Sequence, residues 1–426
     1  MISPAEVVKT AYQDGTLSES KERCQVCGSN SLKQIIDLGV QPICNALISS
    51  SDDFQNEPRY PLTLMICEDC QLVQLSEVPP SDVVFNKNFN YVSGSTKDIV
   101  EYFNDIAKSI IHDFNLKPGD LVVDIGSNDG TLLRAFKNRD MEVLGIEPAP
   151  IIAKMANESG IETINGRFEG SVQEFLKRLD GRAPKIILAF NVLAHTDTPD
   201  QFMHEVSRVA MESNSIFISQ SHYLGNLVDK CEYDTIYHEH ARYYSLNSLG
   251  ALHKRHGMQI FDAKLVEFYG GSILAYATCK NYAPSKGMTI IENYERENLN
   301  EERLNNFAYE VLENRGKLLS ILNKIKKDGK RVAGIGAPMK SSTLLNFCGI
   351  TQDLVDFLTE VNPLKIGKFS PGSHLPIMDE SKLLEEQPDY ALILSWNVSK
   401  SIIEKIRGIG YRGKFIIPIP EPEVIS

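Results

Sequence analysis

One tryptophan among 426 residues, fewer Lys+Arg (44) than Asp+Glu (56) and no apolar run of membrane-spanning length set the first limits. A partner bound through its phosphates calls for a basic excess, and the formal net charge here is −12. The N-terminal 95 residues, where a zinc module that grips RNA would sit, hold 6 Lys+Arg against 12 Asp+Glu. Nucleic acid is therefore not an expected partner. The longest apolar run, around Ile186–Ala194, is about half the length that crosses a bilayer, so no membrane partner is expected. The opening residues Met1-Ile2-Ser3-Pro4-Ala5-Glu6 have neither a basic nor an apolar targeting segment, which makes the cytoplasm the expected location. Eight cysteines are too few for a disulfide scaffold. What remains is a globular composition, 42% hydrophobic and 23% charged, in a chain long enough for more than one core.

Four of the eight cysteines form two tight pairs, Cys24-Gln25-Val26-Cys27 and Cys67-Glu68-Asp69-Cys70. Each C-x-x-C knuckle turns two thiolates toward one point, and two knuckles supply the four sulfurs of a closed tetrahedral zinc site with no open position for chemistry. Gly28 suits the tight turn after the first pair. The intervening residues are expected to hold a small sheet or loop. A redox pair or four unconnected thiols are the alternatives, and Cys44 fits a core thiol better than a fifth ligand.

The middle of the chain reads as an α/β nucleotide-binding unit. Ile99, Phe103, Ile106, Ile110 and Phe114 recur at helical spacing, and Leu121-Val122-Val123-Asp124-Ile125 is a buried-strand pattern. That strand runs into Gly126-Ser127-Asn128-Asp129-Gly130 and an amphipathic helix from Thr131, and a second strand ends in Glu147. The glycine turn lets a ligand approach the helix N-terminus, and an acid at the second strand tip accepts two ribose hydroxyls. The loop lacks the glycines of a dinucleotide fingerprint, and Asp129 would oppose a pyrophosphate. S-adenosylmethionine (SAM), with a cationic sulfonium and no phosphate, suits Asp124 and Asp129 better. A glycine turn that merely packs is the alternative.

From Ala189 onward the chain resembles the C-methyltransferases that act on nucleotide-linked 4-keto-6-deoxy sugars. The motifs that carry the resemblance begin with the cysteine knuckles, with Asp37-Leu38-Gly39 and Gln41-Pro42 between them, and Tyr91-Val92-Ser93-Gly94-Ser95. They continue through Asp124 to Gly130, Gly145-Ile146-Glu147-Pro148 and Asn191-Val192-Leu193-Ala194-His195. The last are Tyr237-His238-Glu239-His240 with Tyr243-Tyr244-Ser245, Gly270-Gly271-Ser272 and Gly334-Ile335-Gly336-Ala337-Pro338-Met339-Lys340.

The resemblance implies an α/β protein. A class I SAM-methyltransferase core of Rossmann-like form is flanked by a small N-terminal zinc-binding module and a second, smaller C-terminal Rossmann-like domain. The expected divisions are 1–95, 96–297, a linking helix over 298–330, and 331–426. It implies His240 as the base that removes a C-3 proton, with Tyr91, His195, Tyr237 and Glu239 lining the same site. SAM would lie against Asp124, Gly126, Ser127, Asn128, Asp129, Gly130, Glu147 and Asn191. Lys340, Lys365 and Lys368 are the candidates for the diphosphate of a dTDP- or GDP-linked sugar, and a monomer or weak dimer is expected.

The residues fit that chemistry on their own terms. A new C–C bond needs a carbanion equivalent, a base active near neutral pH and a donor for the oxyanion. Histidine serves as the base, and tyrosine or a second histidine as the donor. His238 and His240 could instead hold a metal from an extended strand, where alternate side chains share a face. One departure from the family stands out: the strand Ser215–Ser219 is followed by Gln220-Ser221-His222-Tyr223, where relatives more often place an acid and then apolar residues or proline. O-methylation of a sugar, a nucleic-acid methyltransferase and a non-catalytic sugar-nucleotide binder remain as other readings.

Overall fold

The computed structural model describes residues 19–20, 22–84, 92–95, 97–268 and 270–426. The cysteine knuckles bracket a long hairpin of β1 (Leu32–Pro42) and β2 (Arg59–Cys67), antiparallel to each other, with β3 (Val73–Leu75) beside β2. Alternation decides which side is buried: Ile36 and Leu38 on β1 and Tyr60, Leu62 and Leu64 on β2 point into the protein. The fourth strand of this sheet, Arg242–Tyr243, comes from the middle of the chain and pairs with β3.

Helix α1 (Lys97–Asp113) buries Ile99, Phe103, Ile106 and Ile110, the stripe that the spacing predicts. It leads into a seven-stranded sheet. The strands are β4 (Leu121–Ile125), β5 (Glu142–Glu147), β6 (Thr163–Asn165), β7 (Ile186–Phe190), β8 (Ile216–His222), β9 (Gln259–Val266) and β10 (Ser272–Thr278). Their spatial order is β9-β10-β8-β7-β4-β5-β6, with β10 antiparallel to both neighbours and the strands from β8 to β6 parallel. All five residues of β4 and of β7 are buried, as expected of parallel strands with helices on both faces. Strand β8 runs three residues beyond the expected end at Ser219. Gln220, Ser221 and His222 stay in the ladder because they pair with Leu274, Ile273 and Ser272 of β10, and two backbone partners override polar side chains.

Helix α2 (Lys286–Asn298) and helix α3 (Glu301–Lys327) then carry the chain to a six-stranded sheet. Its strands are β11 (Val332–Ile335), β12 (Leu358–Glu360), β13 (Ile377–Asp379), β14 (Tyr390–Ile393), β15 (Lys414–Ile417) and β16 (Glu423–Ile425), in the order β13-β12-β11-β14-β15-β16 with β16 antiparallel. Helix α3 buries Leu304, Phe307, Val311, Leu318, Leu322 and Ile325 in a core that also takes in Ile36 and Leu64 of the N-terminal sheet and Leu358 and Leu392 of the C-terminal one. One polar side chain sits in that stripe. Buried Asn314 donates to the carbonyls of Pro418 (2.9 Å) and Pro420 (2.8 Å) and accepts from the Tyr233 hydroxyl (3.0 Å). No helix of the described residues is long and apolar enough to cross a membrane.

Candidate active site

The four knuckle cysteines meet. Cys24 Sγ lies 3.4 Å from Cys70 Sγ and Cys27 Sγ 3.5 Å from Cys67 Sγ, and all four sulfurs fall within 4.8 Å of one another. Sulfurs about 2.3 Å from a tetrahedral zinc are separated by nearly the same distance. The amides of Val26 and Cys27 point at Cys24 Sγ from 3.4 and 3.5 Å, stabilising a thiolate there. The thiols compete for charge. The hydrogen bond from Cys70 brings Cys24 down to about 5, burial pushes Cys67 up to about 11, and the Cys24 contact pushes Cys70 higher still. A cation resolves that conflict, and the donor set fits zinc. Cys44 stands apart, its Sγ donating to Glu239 Oε1 at 3.4 Å.

The glycine loop follows β4. Gly126 has φ +75° and touches Val192: a Cβ there would lie 2.6 Å from Val192 Cγ2. Gly130, at φ +77°, opens the helix Thr131–Lys137. Asp124 is buried with Oδ1 unpartnered among the described residues, and burial, then the nearby Glu147, hold it well above the carboxylate range. Ser127 Oγ is likewise buried without a described partner. Glu147, raised by burial, accepts from the amides of Asn128 (2.9 Å) and Ala149 (2.8 Å), and Asn191 takes φ +56° as its amide donates to Gln220. Buried polar atoms left open beside a glycine cradle are what a polar cofactor requires, so these residues fit SAM.

Asn128 and Asp129 serve a neighbour. Asn128 Oδ1 accepts from the Ser93 amide (2.9 Å) and Asp129 Oδ2 from the Gly94 amide (3.2 Å), while Asp129 Oδ1 takes the Thr131 hydroxyl (2.7 Å). The Ser93-Gly94 strap thus lies over the loop. The sequence suggests both side chains as direct cofactor contacts; in the structure these oxygens bind the strap.

Residues 232–243 join everything. They form a turn: His240 N donates to Tyr237 O, and the two histidines diverge rather than share a strand face. His238 Nε2 donates to the carbonyls of Tyr60 (3.3 Å) and Pro61 (3.2 Å) on β2, and burial lowers its ring to about 4. Among the described residues the one cluster spaced for a metal is the four cysteines. Asp234 Oδ2 accepts from the indole of Trp396 (2.6 Å), with Lys340 Nζ at 3.5 Å, and Ile236 O accepts from Thr343 Oγ1 (2.7 Å).

His240 sits at the middle. Its Nδ1 donates to Thr235 O at 3.4 Å, and its Nε2 accepts from the Tyr237 hydroxyl at 3.2 Å. Burial first, then His195 and His222, hold it well below the usual histidine range, so the ring is neutral. His195 lies 4.9 Å away between centroids; its Nδ1 donates to Glu239 O at 2.7 Å, and burial brings it to about 4. The Glu239 carboxyl turns from the histidines toward Cys44, and burial lifts it to about 7.

A family profile described as "C-methyltransferase C-terminal domain" matches residues 267–420, "Putative zinc binding domain" matches 24–85 and "Methyltransferase domain" matches 100–262. C-methyltransferase NovU of Streptomyces niveus is 32% identical over 415 residues, covering 95% of this chain and 97% of that protein. The chain belongs to the C-methyltransferase family. It is a SAM-dependent methyltransferase with a four-cysteine zinc site. Among solved structures, magnesium protoporphyrin IX methyltransferase from Synechocystis PCC 6803 with bound SAM is 15% identical over 42% of this chain and 79% of that one, at a TM-score of 0.32. The PH0226 protein of Pyrococcus horikoshii is 13% identical over 45% of this chain and 95% of that one, at 0.36. Similarity of that size adds nothing to the argument.

In this C-methyltransferase the candidate lysines differ in their ties. Lys340 lies over the Trp396 ring at 4.0 Å and beside Asp234, and Lys365 Nζ donates to Ala337 O at 2.9 Å with Glu360 at 3.7 Å. Lys368 is half-buried on the same loop. Tyr91 lies outside the described residues. Sequence reasoning missed Thr235, which anchors His240, the contacts of Asp234 and Trp396, and the pairing of His222 with Glu232. The polar run Gln220-Ser221-His222 at the end of an apolar strand was the one available signal, and Tyr102 meets it by donating to Gln220 Oε1 at 2.8 Å.

Proposed function

We propose that this C-methyltransferase methylates carbon 3 of a nucleotide-linked 4-keto-6-deoxy hexose, with His240 as the base. The observation that carries the reading is the placement of His240. Its imidazole is anchored through Nδ1 on a carbonyl, and among the described residues its Nε2 meets a phenol that a substrate can displace. A C–C bond to a sugar carbon needs an enolate, and a ketone beside the target carbon makes that proton removable by an imidazole when the oxyanion is stabilised. SAM, when bound, supplies the activated methyl group. The chain's own work is to hold the acceptor in line with it and to exclude water, which the buried turn 232–243 and its three-sided packing favour. Glu239 is directed at Cys44, and among the described residues His240 has no carboxylate partner, which leaves it available as a neutral base. Lys340 lies beside Asp234 of this turn and Lys365 near Cys44, so both are candidate cations for a diphosphate, with Lys368 on the same loop as Lys365.

The test is incubation of the zinc-loaded protein with 13C-methyl SAM and a panel of dTDP- and GDP-4-keto-6-deoxy sugars in heavy water. The expected product carries one methyl on carbon by NMR and is lost in His240→Ala. A methyl on oxygen, or neither methyl nor deuterium across the panel, would overturn the reading.

A further inference from the structure

His222 closes β8 at the carboxyl end of the parallel strands, the edge where α/β sheets bind ligands. Its Nε2 lies 3.1 Å from Glu232 Oε2, with the histidine side chain 10% exposed and the glutamate 1%. Its Nδ1 is buried and has no hydrogen-bond partner among the described residues. Its ring is 6.4 Å from that of His240 and tilted from it by only 22°. An imidazole with one nitrogen fixed by a carboxylate and the other open is an oriented group awaiting a partner.

The Glu232 side is enclosed. Gly270 packs so closely that a Cβ there would lie 3.0 Å from Glu232 Oε2, and its carbonyl is held by Lys230 Nζ (3.1 Å) and Asn226 Nδ2 (3.2 Å). A side chain at Gly270 would push the carboxylate off the ring. With Nε2–H given to Glu232, Nδ1 donates only when the ring carries its second proton, and the carboxylate is then the counter-charge. His240 has the opposite surroundings: a carbonyl on Nδ1, a phenol on Nε2 and, among the described residues, no carboxylate. Two histidines in such unlike settings divide the tasks of acid and base.

We propose that His222, held by Glu232, is the donor that receives the negative charge developing on the acceptor's carbonyl oxygen. The inference rests on the ketone acceptor proposed above. The proton on the acceptor carbon moves to His240 Nε2, the C–H electron pair becomes the enolate, and its oxygen accepts a hydrogen bond from His222 Nδ1–H. That electron pair then forms the bond to the incoming methyl, whose former sulfur keeps the pair of the broken bond, and the oxygen returns to a neutral ketone.

The experiment measures deuterium exchange at the acceptor carbon in heavy water, without SAM, beside full turnover with SAM. It compares the zinc-loaded wild type with H222A, H222Q and E232Q. Removing a single oxyanion donor slows a reaction roughly 10²-fold, so H222A is expected to lose about that factor in both exchange and kcat with KM changed by less than about threefold. H222Q, whose amide N–H can replace the donor, is expected to recover part of the rate, and E232Q to lose about tenfold. If H222Q and E232Q both stay within twofold of wild type in exchange and kcat, or if the H222A loss falls entirely on KM, the proposal is overturned. Should H222A fold poorly by circular dichroism, the other two variants decide alone. A wild type that neither exchanges nor methylates any ketone of the panel overturns the acceptor reading and this inference together, whereas active wild type with indifferent variants overturns this inference only.

Discussion

Glu239 is a buried carboxyl whose protonation changes near neutral pH. Burial lifts it to about 7 from an ordinary 4.5. Between those values the folded protein keeps a proton that the unfolded chain releases, so this group lowers stability as pH rises through the window, by roughly 3 kcal/mol in all, and adds no further slope above it. E239Q fixes the protonated shape. Its urea midpoint is expected to match wild type near pH 4.5 and to exceed it at pH 8; equal midpoints at both values would show that the carboxyl does not titrate as described. Gly126 makes a second residue-scale case. G126A forces a side chain to φ +75° and against Val192, and is expected to weaken SAM binding at least about tenfold by calorimetry at a stability cost of about 1–3 kcal/mol. The glycine was legible because a turn between strand and helix demands one. The directions of His238 and His240 were not, since alternation along an assumed strand puts both on one face and a single turn separates them.

At the scale of elements, helix α3 shows what periodicity gives and what it leaves out. Six apolar residues mark its buried stripe in sequence, yet Asn314 in the same stripe reads as a flaw until the carbonyls of Pro418 and Pro420 and the Tyr233 hydroxyl are in place around it. N314A removes three hydrogen bonds from a dry core and is expected to cost about 3 kcal/mol in denaturant unfolding; a loss under about 1 kcal/mol would mean that water replaces the amide. The parallel strands were legible as apolar runs. The last three residues of β8 were not, because their place in the sheet depends on β10, far along the chain and invisible to a local window. The strap of Ser93 and Gly94 was hidden for the same reason: Asn128 and Asp129 are cofactor candidates by motif, and only the fold shows what their oxygens hold.

Across the whole molecule, the zinc site and the histidines are mechanically one object. Strand β3, which follows the second knuckle, pairs with Arg242–Tyr243, and β2 presents the carbonyls that hold His238. Chelating the metal is expected to abolish methyl transfer in step with zinc content measured by mass spectrometry. SAM affinity, set by the β4–β5 end of the other sheet, should change less than about threefold. A metal-free protein with full turnover would contradict this. The knuckles were legible as ligands by spacing alone. Their mechanical link to the active site was not, because the contacts that make it, such as Glu239 with Cys44 at a separation of 195 residues, leave no local pattern.

The turn at 232–243 is fastened to the N-terminal sheet through Tyr60, Pro61 and Cys44, to the methyltransferase sheet through Ala194, and to the C-terminal sheet through Trp396, Lys340 and Thr343. Profiles that divide the chain near residues 85–100 and 262–267 invite cassette exchange between relatives as a route to new acceptors. Such hybrids inherit a turn cut for other neighbours. Those that import the turn together with every surface it touches are expected to keep the fit, so a change of acceptor is expected to need matched substitutions in three stretches of chain rather than one exchanged part.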